Sequence, residues 1–255
     1  MKTEYHLEKN LQNSILIENI INNINFRFIN NSMSREDSIL YTILNRLTPK
    51  NYRDFINIKI KDDRAKKNFL TLIEVKRMAT YSTFYIINAI CKNIKKGSYL
   101  NIGFWNGFSL FCGMLDTQCE VVGVDNFSEF DGSNSELLFK KKFNKIKKNN
   151  HQYIKLDALE YLKKCNKKFD FYFYDALHTY EYQYEALNLS KSILNEGALI
   201  MIDDICWNHS NDPIDATKKF LNDNRKDYKL LLDVRTKYNK HPTFWNGYFI
   251  IEKIR

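Results

Sequence analysis

"YLNIGFWNGFSL", residues 99–110, decides the fold. A short apolar strand runs into Gly103, a second glycine follows at Gly107, and an apolar helical pattern opens near Phe108. Glycine reaches backbone conformations closed to other residues, so the chain can turn sharply there and approach a ligand closely. The N-terminus of the following helix then presents free N–H groups to whatever lies in the turn. A strand-to-helix turn needs a glycine in any case, so these residues alone leave a cofactor cradle and a plain turn both open.

Downstream of Gly97 short apolar runs alternate with amphipathic segments: "YLNIG" (99–103), "EVVGV" (120–124), "QYIKL" (152–156), "FDFYFY" (169–174) and "ALIMI" (198–202). That alternation predicts an α/β fold, a parallel sheet covered by helices on both faces. After a helix near 213–224, "YKLLLDV" (228–234) and "YFIIEKI" (248–254) flank a loop with His241, Pro242, Trp245 and Gly247. Two last strands joined without a helix predict an antiparallel finish. Upstream, "SREDSILYTILNRL" (34–47) pairs Ser34 with Asp37 as a capping box and spaces Ile39, Leu40, Ile43, Leu44 and Leu47 as a helix does. A further helix is expected over 66–94, ended by Gly97. Residues 1–65 therefore read as an N-terminal helical extension and 66–255 as the main domain. The apolar stripe of the extension has three candidate roles: packing on the main domain, contact with a second subunit in a homo-oligomer, or a lid.

The 255 residues are 44% hydrophobic, enough for a real core, and carry a formal net charge of +9. The densest basic run, "FKKKFNKIKK" (139–148), places Phe139, Phe143 and Ile146 on one side. It reads as a solvated helix face before it reads as a nucleic-acid surface, with anionic substrates kept open. Five cysteines (91, 112, 119, 165, 206) without a C-x-x-C pair suit a reduced, cytoplasmic protein better than a disulfide scaffold or a zinc site. The first residues show no apolar signal core, and no stretch is long and apolar enough to span a membrane.

Several strand ends carry acids. Asp125 ends the second run, where a carboxylate can accept both hydroxyls of a ribose, as in dinucleotide sites. Asp157 follows the third and, with Glu160, also makes a helix capping box. Neither G-x-G-x-x-G nor G-x-x-x-x-G-K-[ST] is present, which argues against a nucleotide dehydrogenase and a P-loop enzyme. Asp175 closes the fourth run and Asp203 with Asp204 the fifth, so their carboxylates meet at one edge of the sheet. Three like charges there repel unless a cation lies between them, and oxygen ligands suit Mg²⁺ or Mn²⁺. Capping of the following helices is the plainer alternative. His178, three residues after Asp175, projects over the same edge, where it can accept a proton near neutral pH or serve as an ordinary surface residue.

The series "NIGFWNG", "GVDNF", "KLDALEYL", "FDFYFYDALHTYE", "NEGALIMIDDI" resembles the class I S-adenosylmethionine-dependent methyltransferases. Within them it is similar to the metal-dependent O-methyltransferases that modify sugars on macrolides and bacterial glycans, and more distantly to the catechol type. The likeness covers about residues 66–255, including "TLIEVKRM" (71–78). It implies a Rossmann-like sheet of order 3-2-1-4-5-7-6 with strand 7 antiparallel. It implies a backbone cradle at Gly103, Phe104 and Gly107, Ser109 on the methionine carboxylate, Asp125 on the ribose, and Asp157 on the adenine with Ala158 beside it. The metal-dependent branch implies Asp175, Asp203 and Asp204 as ligands and His178 as general base. Asn101 stands where most members carry an acid, and an amide cannot pair with the cofactor's ammonium as a carboxylate does. "CWNHSNDP" (206–213) then borders the acceptor pocket, with Trp207 and His209 as candidate substrate contacts, although Trp207 also suits a core. The function so implied is methyl transfer from S-adenosylmethionine to a hydroxyl of a sugar or glycan precursor. A catechol-like acceptor is the alternative. A nucleic-acid methyltransferase or a binding module ranks last, since no N-P-P-Y-like motif accompanies the basic charge.

Overall fold

The computed structural model describes residues 2–28, 35–129, 134–207, 210–237 and 239–255. The chain opens with α1 (Lys2–Asn22). An antiparallel ribbon of β1 (Ile24–Phe26) and β2 (Ile58–Ile60) then brackets α2 (Arg35–Leu47) and α3 (Asp54–Asn57). Next come α4 (Asp63–Thr71) and α5 (Tyr81–Asn93). The alternating half runs β3 (Ser98–Ile102), α6 (Phe108–Met114), β4 (Glu120–Val124), α7 (Ser135–Ile146), β5 (His151–Ile154), α8 (Ala158–Lys164) and β6 (Phe169–Tyr174). It closes with α9 (Tyr180–Ser190), β7 (Leu194–Ile202), α10 (Asp212–Asp223), β8 (Tyr228–Val234) and β9 (Tyr248–Lys253).

The large sheet is ordered β5-β4-β3-β6-β7-β9-β8. Counted from its own first strand this is 3-2-1-4-5-7-6, the expected order. The strand pairs from β5 to β7 are parallel, while β9 is antiparallel to both β7 and β8. The runs are apolar throughout because both faces are covered. In β6, Phe171 and Phe173 enter one core, with α5, α6 and α7, while Tyr172 and Tyr174 enter the other, with α8, α9 and α10. None of the described helices is long and apolar enough to cross a membrane.

One expectation needs correction upstream. The helix expected over 66–94 is two helices, broken at residues 72–80. Asp62 caps α4 by accepting the Ala65 N–H at 2.9 Å. Thr80 caps α5, and its hydroxyl also donates to the Thr243 carbonyl at 2.7 Å. At the break the Thr80 cap, tied across the molecule to Thr243, outweighs an apolar period that continues through it. The boundary expected between residues 65 and 66 falls inside α4, and the extension shares its core with the main domain through Ile17, Ile20, Ile24 and Ile58. On α2, Ile39, Ile43 and Leu47 face outward. The expected cap of that helix, Ser34, lies outside the described residues.

Candidate active site

Strand order reverses between β3 and β6, so a crevice opens beyond their carboxyl ends. Backbone bonds hold those ends level: the Asp175 N–H donates to Ile102, the Gly103 N–H to Val124 and the Asp203 N–H to Tyr174. Gly103 sits at φ +75, and a Cβ there would fall 1.8 Å from the Asp175 carbonyl oxygen. The glycine is thus required by the close approach of the two strand ends. Gly107, at φ +91, leaves room for the Phe111 and Phe139 rings and does not itself line the crevice. The cavity measures about 310 Å³, within the usual range of small-molecule sites.

On the cofactor side it is lined by Gly103, Phe104, Trp105, Ser109 and Asp125. Asp125 Oδ2 accepts the Phe104 and Trp105 N–H groups, each at 2.7 Å, and Oδ1 accepts that of Phe127 at 2.6 Å. A carboxylate has about four acceptor sites, so three backbone bonds leave one for a ribose hydroxyl. Asn101, fully buried below the turn, donates from Nδ2 to the Gly103 carbonyl at 3.2 Å. Its Oδ1 has no partner among the described residues. Asp157 and Ala158 stand outside the cavity lining. Asp157 caps α8 by accepting the Leu159 and Glu160 N–H groups, and takes the Tyr182 hydroxyl at 2.8 Å.

The carboxylate edge lies across the same cavity. His178 Nε2 is 3.6 Å from Asp175 Oδ1 and 3.8 Å from Asp204 Oδ2. One ligand atom from each of the three residues lies within 4.8 Å of the other two. Asp203 lines the cavity but stands outside that trio, and its Oδ1 accepts the Asp204 N–H at 2.9 Å. Removal from water pushes the carboxyls of Asp175, Asp203 and Asp204 above the ordinary range, and neighbouring carboxylates push Asp175 and Asp203 further. Two hard oxygen donors and an imidazole around a charge-deficient gap fit a divalent cation of the Mg²⁺ or Mn²⁺ kind.

Gln183 and Asn246 hold this edge and escaped the sequence reading. Gln183 is fully buried, and its Nε2 donates to the Pro213 carbonyl and to Thr217 Oγ1. Its Oε1 therefore faces His178 Nδ1, at 3.5 Å. An amide oxygen only accepts, so the proton belongs on Nδ1 and the lone pair of Nε2 faces the two carboxylates. Asn246 Nδ2 donates to Asp204 Oδ1 at 2.9 Å, while its Oδ1 accepts the Lys240 N–H. Trp207 lines the cavity with its ring 6.3 Å from that of His178. His209 lies outside the described residues. Backbone strain gathers here: Trp105, Phe127, Asp204, Lys240 and Trp245 all have positive φ and all line the cavity.

Residues 100–205 match the family model described as a methyltransferase domain. Among solved structures the chain is similar to a Streptococcus mutans protein assigned as an S-adenosylmethionine-dependent methyltransferase, at 13% identity and TM-score 0.53 over 68% of this chain and 48% of that one. The chain thus spans about half the length of that relative. It is similar to the O-methyltransferase from Bacillus cereus in complex with S-adenosylhomocysteine, at 14% identity and TM-score 0.51 over 76% and 91% of the two chains. It is also similar to the O-methyltransferase TomG from Streptomyces achromogenes, involved in tomaymycin synthesis, at 12% identity and TM-score 0.55 over 87% and 99%. No curated protein matches in sequence. Residues 100–205 are thus similar to a methyltransferase domain, and the sheet that carries them has the Rossmann-like fold of the class I S-adenosylmethionine-dependent methyltransferases.

Proposed function

We propose that the chain is a divalent-cation-dependent O-methyltransferase acting on a hydroxyl of a sugar or glycan precursor. The observation that carries this reading is the placement of His178 Nε2 between Asp175 and Asp204, at the strand-order reversal and across one cavity from the glycine turn. With Nδ1 turned to the Gln183 oxygen, Nε2 faces one oxygen of each of the two carboxylates. A cation and an acceptor hydroxyl are the two guests that relieve that arrangement.

Bound S-adenosylmethionine supplies a sulfonium-activated methyl group, and a bound Mg²⁺ or Mn²⁺ lowers the pKa of a nearby hydroxyl. The turn at Gly103 and Phe104, the Ser109 hydroxyl and the free acceptor site of Asp125 hold the methyl donor. Asp175 and Asp204 hold the cation, with Asn246 fixing the Asp204 carboxylate. His178 takes the acceptor's proton at Nε2, leaving the hydroxyl oxygen as nucleophile. Glu129, Lys240 and Asn246 on the lining favour a polyhydroxyl acceptor. Trp105, Trp207 and Trp245 on the same walls favour a second reading, a catechol-like aromatic acceptor.

The test is S-adenosylhomocysteine release over a panel of sugars and catechols, with Mg²⁺ and with chelator, for the wild type, Asp204→Ala and His178→Ala. Chelator and each substitution are expected to slow transfer by about 100-fold or more, with S-adenosylmethionine affinity little changed. If His178→Ala also abolishes cation binding, His178 is a ligand and not the base. Transfer indifferent to chelator and to both substitutions overturns the proposal.

A further inference from the structure

The basic run 139–148 does not act as a uniform solvated face. Lys140 pairs with Glu136, Lys147 lies over the Phe143 ring, and Lys148 donates to the Thr117 carbonyl. Lys141, Lys142 and Lys145 turn to one side of α7 and line a second groove of about 200 Å³, where Lys142 Nζ donates to the Thr71 carbonyl. Lys76, from the break between α4 and α5, closes it from the opposite wall. Four lysines thus meet a single acid, Glu74, which already accepts the Asn51 side-chain amide at 3.2 Å. Burial, and after it the charge of Lys145, hold the Lys142 ammonium below its ordinary pKa.

The groove also adjoins the active site. Lys76 lines both cavities, and its Nζ lies 5.0 Å from the centre of the Trp105 ring, which walls the methyl-donor side. The groove floor includes Asn106, buried and bonded to the Lys76 carbonyl, so the turn that carries Trp105 and Asn106 is shared by both spaces. Uncompensated ammonium groups converging on a concave surface attract multivalent anions, and lysine serves phosphoryl groups as a compact point charge.

We propose that this groove is an anion subsite for a phosphoryl group of the acceptor, which, resting on the sugar-hydroxyl reading above, makes the acceptor a phosphorylated or nucleotide-linked sugar. Its probe is inorganic pyrophosphate, titrated by calorimetry at low ionic strength in the presence of chelator, so that no cation at Asp175 and Asp204 holds the probe instead. The proteins compared are the wild type, the double variant Lys141→Glu/Lys145→Glu, and the double variant Lys218→Glu/Arg225→Glu. The last removes the same charge from exposed positions on and beside α10, against the other face of the sheet.

Pyrophosphate is expected to bind the wild type, to bind the groove variant at least about tenfold more weakly, and to bind the α10 variant within about threefold of wild type. No binding to the wild type, or equal weakening in both variants, overturns the subsite. In transfer assays a sugar phosphate is expected to show a lower KM than its neutral sugar, and the groove variant to raise that KM with kcat unchanged. Equal KM values for the phosphorylated and neutral sugars overturn the assignment to the acceptor. Because the binding arm needs neither cation nor turnover, pyrophosphate binding without methyl transfer counts against the O-methyltransferase reading and leaves the subsite standing.

Discussion

In the proposed mechanism Gln183 sets which nitrogen of His178 serves as the base. Its amide is locked by the Pro213 carbonyl, which can only accept, so its oxygen is turned toward Nδ1. Gln183→Leu keeps the volume and removes that lock. It is expected to lower kcat by about tenfold to 100-fold with S-adenosylmethionine affinity unchanged, measured as steady-state transfer beside a binding titration. Unchanged kcat would show that Gln183 is only a packing residue. Asp175, Asp204 and His178 were legible in the sequence because each directly follows an apolar strand or stands one turn beyond it. Gln183 and Asn246 were not, because their roles depend on α10 packing on α9 and on a loop 42 residues beyond Asp204. Asp157 was readable in two ways, and its Oδ1 makes the hydrogen bonds of a helix cap while its Oδ2 accepts the Tyr182 hydroxyl.

At the scale of elements, the loop between β8 and β9 is what brings Asn246 to the carboxylate edge, and the N-terminal extension clamps that loop. Asn57, 2% exposed, donates to the Pro242 carbonyl at 3.0 Å and accepts the Phe28 N–H at 2.7 Å. Phe26 packs edge-on to Phe244, and Thr80 and Ser82 both donate to the Thr243 carbonyl. Asn57→Ala is expected to cost about 1–3 kcal/mol of stability and to weaken Mn²⁺ binding several-fold, read by denaturant unfolding and by metal titration. Lower stability with unchanged Mn²⁺ affinity would reduce the clamp to a structural role. The strands of the sheet were legible because buried parallel strands are continuous apolar runs. The break at residues 72–80 was not, since "LIEVKRMAT" keeps an apolar rhythm while Arg77 leaves it to pair with Asp54 at 2.6 Å.

For the whole molecule, the carboxylate edge sets a dependence on pH. Asp175, Asp203 and Asp204 hold their protons more tightly in the folded state than in the unfolded chain. Without a cation the fold therefore loses stability as pH rises from the ordinary carboxylate range through the folded values, and the deficit persists above them. A cation held as proposed would offset it, so the rise in unfolding temperature on adding Mg²⁺ is expected to be larger near about pH 8 than near about pH 5. His151 works in the opposite direction. Burial lowers its pKa to about 4, so its contribution is complete above its ordinary value and is lost as pH falls toward 4. That loss is independent of Mg²⁺, which separates the two effects in one set of melting curves.

The central claim is that the ends of β6 and β7 hold a divalent cation beside the methyl-donor cradle. Titration of Mn²⁺ followed by electron paramagnetic resonance, on the wild type and on Asp204→Ala with S-adenosylmethionine affinity as the control for folding, tests it most directly. The account predicts that the wild type depletes free Mn²⁺, that the variant does not, and that both bind S-adenosylmethionine. A wild type that leaves Mn²⁺ free, or a variant that binds it equally well, would contradict the account.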